Sequence, residues 1–141
     1  MVYIDRTFLI QYHTRTGDFM AENATLLIVD DSRISRMMIS RLVKIREPDW
    51  ELVEAANGEE ALKKVDELDI DYCSVDLSMP GMDGYEVIRQ IKSRQPSSRI
   101  VLMTANIQND VLKRAEDLGA ACVHKPVTEE SIDKMLEYFH A

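Results

Sequence analysis

The sequence predicts an α/β fold: five parallel strands in one sheet, with helices on both faces. Three observations predict it. From residue 25 onward, short continuous apolar runs alternate with longer segments whose apolar residues recur at helical spacing. Each run is five or six residues long and is followed by one helical segment, as strands buried on both faces and linked by crossover helices require. The 141 residues, 45% hydrophobic and 30% charged, suit one globular domain with a proper core.

The elements follow in order. "TLLIVD" (25–30) is the first strand, and "SRISRMMISRLVKI" (32–45) is a helix with Ile34, Met37, Met38 and Leu42 at helical spacing. After the connector "EPD" (47–49), "WELVEA" (50–55) is the second strand. "GEEALKKVDEL" (58–68) is helical, with Asn57 as N-cap and Glu60 completing a capping box. "DYCSVD" (71–76) is the third strand, and "GYEVIRQIKSR" (84–94) is a helix capped by Asp83. "RIVLMT" (99–104) is the fourth strand; "QNDVLKRAEDL" (108–118) is a helix stopped by Gly119. "AACVH" (120–124) is the fifth strand, and "TEESIDKMLEYF" (128–139) is the last helix, capped by Thr128 with acids in its first turn. Residues 1–23 stand outside this register and read as an N-terminal extension to a domain spanning 24–141.

The net charge of −8 disfavours phosphate backbones and so excludes direct nucleic-acid binding. No apolar run reaches membrane-spanning length, and Asp5 and Arg6 interrupt the N-terminal apolar stretch, so the cytoplasm is the expected compartment. The two cysteines, Cys73 and Cys122, lie in strand-like runs and read as free buried thiols.

Chemistry concentrates where the runs end. The first strand ends in Asp30 and Asp31, the third in Asp76 and the fourth in Thr104; Lys125 and Pro126 follow the fifth. In an open parallel sheet these ends share one edge, where ligands bind. Three converging carboxylates repel, so one stays protonated or a cation joins them. Oxygen ligands suit a hard divalent ion such as Mg²⁺. With Lys125 added, the set suits an incoming phosphoryl group: Asp76 as nucleophile, Thr104 as hydroxyl donor. Taken singly, each residue has a plainer reading. The Asp pair caps a helix, Asp76 sits in a turn, Thr104 suits a strand, and Lys125 is a solvated charge. The shared placement at strand ends favours one site.

"VDDS", "VDLSMPGMDG", "MTA" and "HKP" resemble the motif set of two-component response-regulator receiver domains, from about residue 24 onward. The layout resembles stand-alone receivers of the chemotaxis type. That resemblance implies a doubly wound, flavodoxin-like sheet of order 2-1-3-4-5. It implies Asp76 as phospho-acceptor and Mg²⁺ held by Asp30, Asp31, Asp76 and the backbone carbonyl of Ser78. Thr104 becomes the switch hydroxyl and Lys125 the phosphate partner; Ser78, Ala105 and Asn106 become tuning positions. Pro126 carries a cis bond, and Gly84 lets the chain turn into its helix. The partners implied are a histidine kinase or histidine phosphotransfer domain as donor, docking on Ile34, Met37 and Met38, and a downstream protein target. The protein would be a monomer or weak dimer and, apart from its own phosphorylation and dephosphorylation, not an enzyme.

One position departs from the family pattern. Three residues before the Lys the family commonly has Tyr or Phe, a ring that moves inward with the Thr; here Cys122 stands there, and the segment from Gly119 to Lys125 is one residue short. Phosphorylation chemistry is expected to survive while the usual read-out is altered. A phosphorylation-independent binding module is the alternative. A phosphohydrolase would need an acid where Ser78 stands, and a flavin carrier a hydroxyl-rich loop where "DDSRIS" stands. His13, His124 and His140 carry no expected role, and the methionines read as core or loop packing.

Overall fold

The computed structural model describes residues 23–141. The expectation for residues 1–23 therefore lies, apart from Asn23, outside the described residues. The elements are β1 (Thr25–Val29), α1 (Arg33–Arg46), β2 (Glu51–Ala55), α2 (Gly58–Glu67), β3 (Tyr72–Asp76), α3 (Gly84–Arg94), β4 (Arg99–Thr104), α4 (Asn109–Asp117), β5 (Ala120–His124) and α5 (Glu129–His140). All pairings are parallel, in the order β2-β1-β3-β4-β5. The direction of winding reverses between β1 and β3, which opens a crevice at their C-terminal ends.

Alternate residues of each strand enter opposite layers. Leu27, Val29, Cys73, Val75, Ile100 and Leu102 pack with α2, α3 and α4 residues such as Val65, Ile88 and Val111. Leu26, Ile28, Val101 and Met103 pack with α1 and α5 through Ile39, Val43, Ile132 and Phe139. The inner strands β1, β3 and β4 are therefore buried along nearly their whole length, whereas the edge strand β2 exposes Glu51 and Glu54.

The caps explain where the helices start. Ser32, Asn57, Asp83 and Thr128 each accept a backbone N–H from three residues on. The capping of α1 falls to Ser32, which releases Asp30 and Asp31 from that role. α4 is shorter than the 108–118 expected, and Gln108 at its cap makes no side-chain bond. Gly119 ends α4 with φ of 81°.

Three expectations need correction, and a fourth gains its physical reason. Gly84 lets the chain enter α3 through its lack of a side chain, without a positive φ. A Cβ there would lie 2.6 Å from the Asp76 carbonyl oxygen and 2.8 Å from Leu77 Cα, so its absence lets α3 press against the end of β3. Met37 and Met38 are exposed, with Ile34, because α1 carries two apolar stripes and buries only the one containing Ile39 and Val43. Cys73 is buried, but Cys122 is half-buried, since β5 is an edge strand. His140 is not idle: its Nε2 lies 2.8 Å from Glu47 Oε2, and its ring packs 5.7 Å from Trp50.

Candidate functional site

β1 and β3 are adjacent and in register up to Val29 and Val75, so the residues that follow come together at the crevice. Asp30, Asp31 and Asp76 each offer a carboxylate oxygen within 4.8 Å of the others. Asp30 and Asp76 are buried, whereas Asp31 is exposed and faces the opening. Lys125, leaving β5, lays its Nζ 3.1 Å from Asp30 Oδ2 and 3.1 Å from Asp76 Oδ1. The Lys125–Pro126 bond is cis, as expected.

Asp30 is fixed from several directions. Its Oδ1 accepts the Ser32 N–H at 2.9 Å, and its carbonyl accepts Arg36 Nη1 at 2.7 Å. Arg36 is in turn paired with Glu54 at 2.9 Å. Sequence reasoning missed Arg36; its only signal is its position one turn into the helix that follows the acid pair. Thr104, buried at the end of β4, is held by its own loop: its Oγ1 accepts the Asn106 N–H at 3.0 Å. Ser78, Ala105 and Asn106 lie on exposed loops around the crevice. Cys122 lies on β5 at the edge of the sheet, and burial pushes its thiol up, which leaves it poorly suited to redox chemistry.

The electrostatics follow from this packing. Burial, then the Asp30 carboxylate, holds the Asp76 carboxyl above its ordinary range, with Lys125 opposing and Asp31 adding to the effect. Burial pulls the Lys125 ammonium down, but Asp30 and Asp76 together raise it further, so it stays charged. Two ionised carboxylates at this spacing repel by roughly 3–4 kcal/mol at an effective dielectric of about 20. Three carboxylates and one ammonium leave two negative charges, which one divalent cation cancels. The donors are all oxygen, and one acid is open to solvent, so the set fits a hard ion such as Mg²⁺ that retains water.

A doubly wound sheet with acids at its switch point, a Thr at the next strand end and a half-buried Lys defines a receiver-type fold and site. The response regulator receiver domain model matches residues 26–137, and the chain belongs to that family. It is 40% identical to the chemotaxis protein CheY of Listeria monocytogenes over 79% of this chain and 94% of that protein. It is similar to the structure of chemotaxis protein CheY4 of Vibrio cholerae, with TM-score 0.73 and 29% identity, covering 81% of this chain and 96% of that one. It is also similar to a Burkholderia pseudomallei response regulator solved with a phosphorylated aspartic acid, calcium ion and citrate. There the TM-score is 0.72 and the identity 26%, over 80% of this chain and 66% of that one.

Proposed function

We propose that this receiver is a phosphorylation-dependent switch that accepts a phosphoryl group on Asp76. The observation that carries the reading is the Lys125 ammonium set 3.1 Å from both Asp30 and Asp76, in a crevice of three converging carboxylates. The donor is a phosphohistidine on a sensor kinase or phosphotransfer domain. An Asp76 carboxylate oxygen attacks phosphorus in line as the P–N bond breaks. The imidazole leaves with the bonding pair and takes up a proton, and an aspartyl phosphate remains. Lys125 moves from a carboxylate partner toward a phosphoryl oxygen, and the Thr104 hydroxyl exchanges Asn106 for another. Asp30, Asp31, Asp76 and the Ser78 carbonyl would hold a divalent ion, which would supply positive charge against the phosphoryl oxygens. Water attacking phosphorus later releases phosphate and restores the carboxylate, with Ser78 and Asn106 tuning the rate; no other catalysis belongs to the chain.

The phosphorylated Asp in the Burkholderia structure and the chemotaxis relatives support this assignment. The exposed Ile34, Met37 and Met38 provide an apolar surface for the donor. Because a histidine kinase draws on ATP, the reading places the protein in the cytoplasm, as a monomer or weak dimer that passes the signal to a protein target of the chemotaxis type. Intact mass after acetyl phosphate treatment, with and without Mg²⁺ and beside Asp76→Asn, tests it. One adduct that needs Mg²⁺ and vanishes in the variant is expected. No adduct, together with no binding of beryllofluoride, would overturn the reading in favour of a phosphorylation-independent module.

A further inference from the structure

A groove of about 480 Å³ lies beside β5, bounded by Ile107, Cys122, His124 and Lys125 and, on the α5 side, by Ser131 and Lys134. Cys122 and His124 are two residues apart on one strand, so both project toward the same side of the sheet, the side that Cys122 shares with α4. At the mouth of the groove His124 Nε2 lies 3.0 Å from the Ala105 carbonyl oxygen. A carbonyl only accepts, so Nε2 carries the proton.

The position of this bond gives it leverage. Ala105 directly follows Thr104, which is in register with His124, and the Lys125 N–H donates to the Thr104 carbonyl at 2.9 Å. Residues 105–108 are exposed; the His124 bond ties them to β5, beside the Thr104 bond to Asn106 and the Leu112 N–H donated to the Gln108 carbonyl. The loop leads into α4, the one helix here whose cap residue makes no side-chain bond. Its N-terminus is therefore weakly held, and one bond at the loop's start weighs heavily in its setting. For the Thr104 hydroxyl to turn toward a group on Asp76 it must release Asn106, and the peptides after it must shift.

We propose that His124 is a positioning residue: its ring, bonded to the Ala105 carbonyl, holds the β4–α4 loop in the setting where Thr104 engages Asn106. His124 then supplies, two residues further along the strand, the ring contact with this loop that Cys122 cannot make. Phosphorylation of Asp76 works against this bond, and the bond sets the share of protein whose Thr104 is free to turn. The proposal rests on the phospho-switch reading and specifies how the site is regulated.

The test titrates full-length wild type, His124→Ala and His124→Gln with beryllofluoride in Mg²⁺, after thermal melts show each folded. His124→Ala is expected to bind about two- to tenfold more tightly, the worth of one hydrogen bond, while His124→Gln, which keeps a donor, stays within about twofold of wild type. Amide resonances of Ala105 and Asn106 in unliganded His124→Ala are expected to move toward their positions in beryllofluoride-bound wild type, a displacement that a purely structural role would not produce. Wild-type binding with His124→Ala equal or weaker, or His124→Gln matching His124→Ala, overturns the proposal alone. A wild-type chain that binds no beryllofluoride removes the phospho-switch reading, and the positioning role with it.

Discussion

Asp76 is a carboxylate in a place that penalises its charge, and the penalty has a measurable sign. Its raised pKa means that the fold holds the Asp76 proton more tightly than the unfolded chain does. That stabilisation is complete below the ordinary carboxylate range and is lost as pH rises through the folded pKa. In chelator-treated protein, Asp76→Asn is therefore expected to match wild type in acid and to become more stable as pH rises. The advantage should grow with pH and be largest where the wild-type carboxylate is fully ionised. Urea denaturation across that range measures it; a variant less stable than wild type at neutral pH would contradict the electrostatic account. Asp31 behaves differently because it is exposed. Asp31→Asn should leave metal-free stability within about 0.5 kcal/mol.

At the scale of elements, two helices show what local pattern reveals and conceals. α3, capped by Asp83, begins with a glycine because a side chain at Gly84 would run into the backbone of Asp76 and Leu77, which cannot move aside. Gly84→Ala is expected to cost about 1–3 kcal/mol by overpacking and to weaken beryllofluoride binding by displacing Asp76; denaturation and titration read the two effects separately. α1 has apolar residues on two stripes, each at spacing compatible with a helix, so periodicity alone could not tell which one faces the sheet. Ile39→Ala should cost about 2–4 kcal/mol, whereas Met37→Ala should change stability by under about 0.5 kcal/mol. Equal costs in chemical denaturation would refute the division into a core stripe and an exposed one. Strand identity and the caps Asn57, Asp83 and Thr128 were legible because they depend on neighbours in sequence. The edge position of β5 was implied only by the order 2-1-3-4-5 that came with the family resemblance, and the half-exposure of Cys122, which follows from it, was not read from the residue pattern.

The molecule as a whole is a scaffold that brings distant residues to one edge, and that arrangement links metal binding to folding. A divalent ion that binds the folded crevice alone should raise stability by about 2.7 kcal/mol at a concentration 100 times its dissociation constant. Thermal melts against Mg²⁺ concentration test this, and Asp31→Asn should flatten the dependence. The acid pair, Asp76, Thr104 and Lys125 were legible together because each ends an apolar run, and a parallel sheet gathers such ends. The Arg36 support of Asp30, the His124 bond to Ala105 and the His140 pair with Glu47 were not legible. These contacts arise from side chains reaching between elements, and no periodicity marks them.

The Lys125 pairing with Asp30 spans 95 positions. A ribosome delivers residues in order, so Asp30, Asp31 and Asp76 emerge before the ammonium that balances them. Until β5 docks on β4, a nascent chain holds its acids without their counter-charge and its sheet without its last strand. If Asp76 accepts a phosphoryl group as proposed, that capacity arrives late. A chain still being made, or one clipped before residue 125, would then not compete with finished copies for the proposed donor.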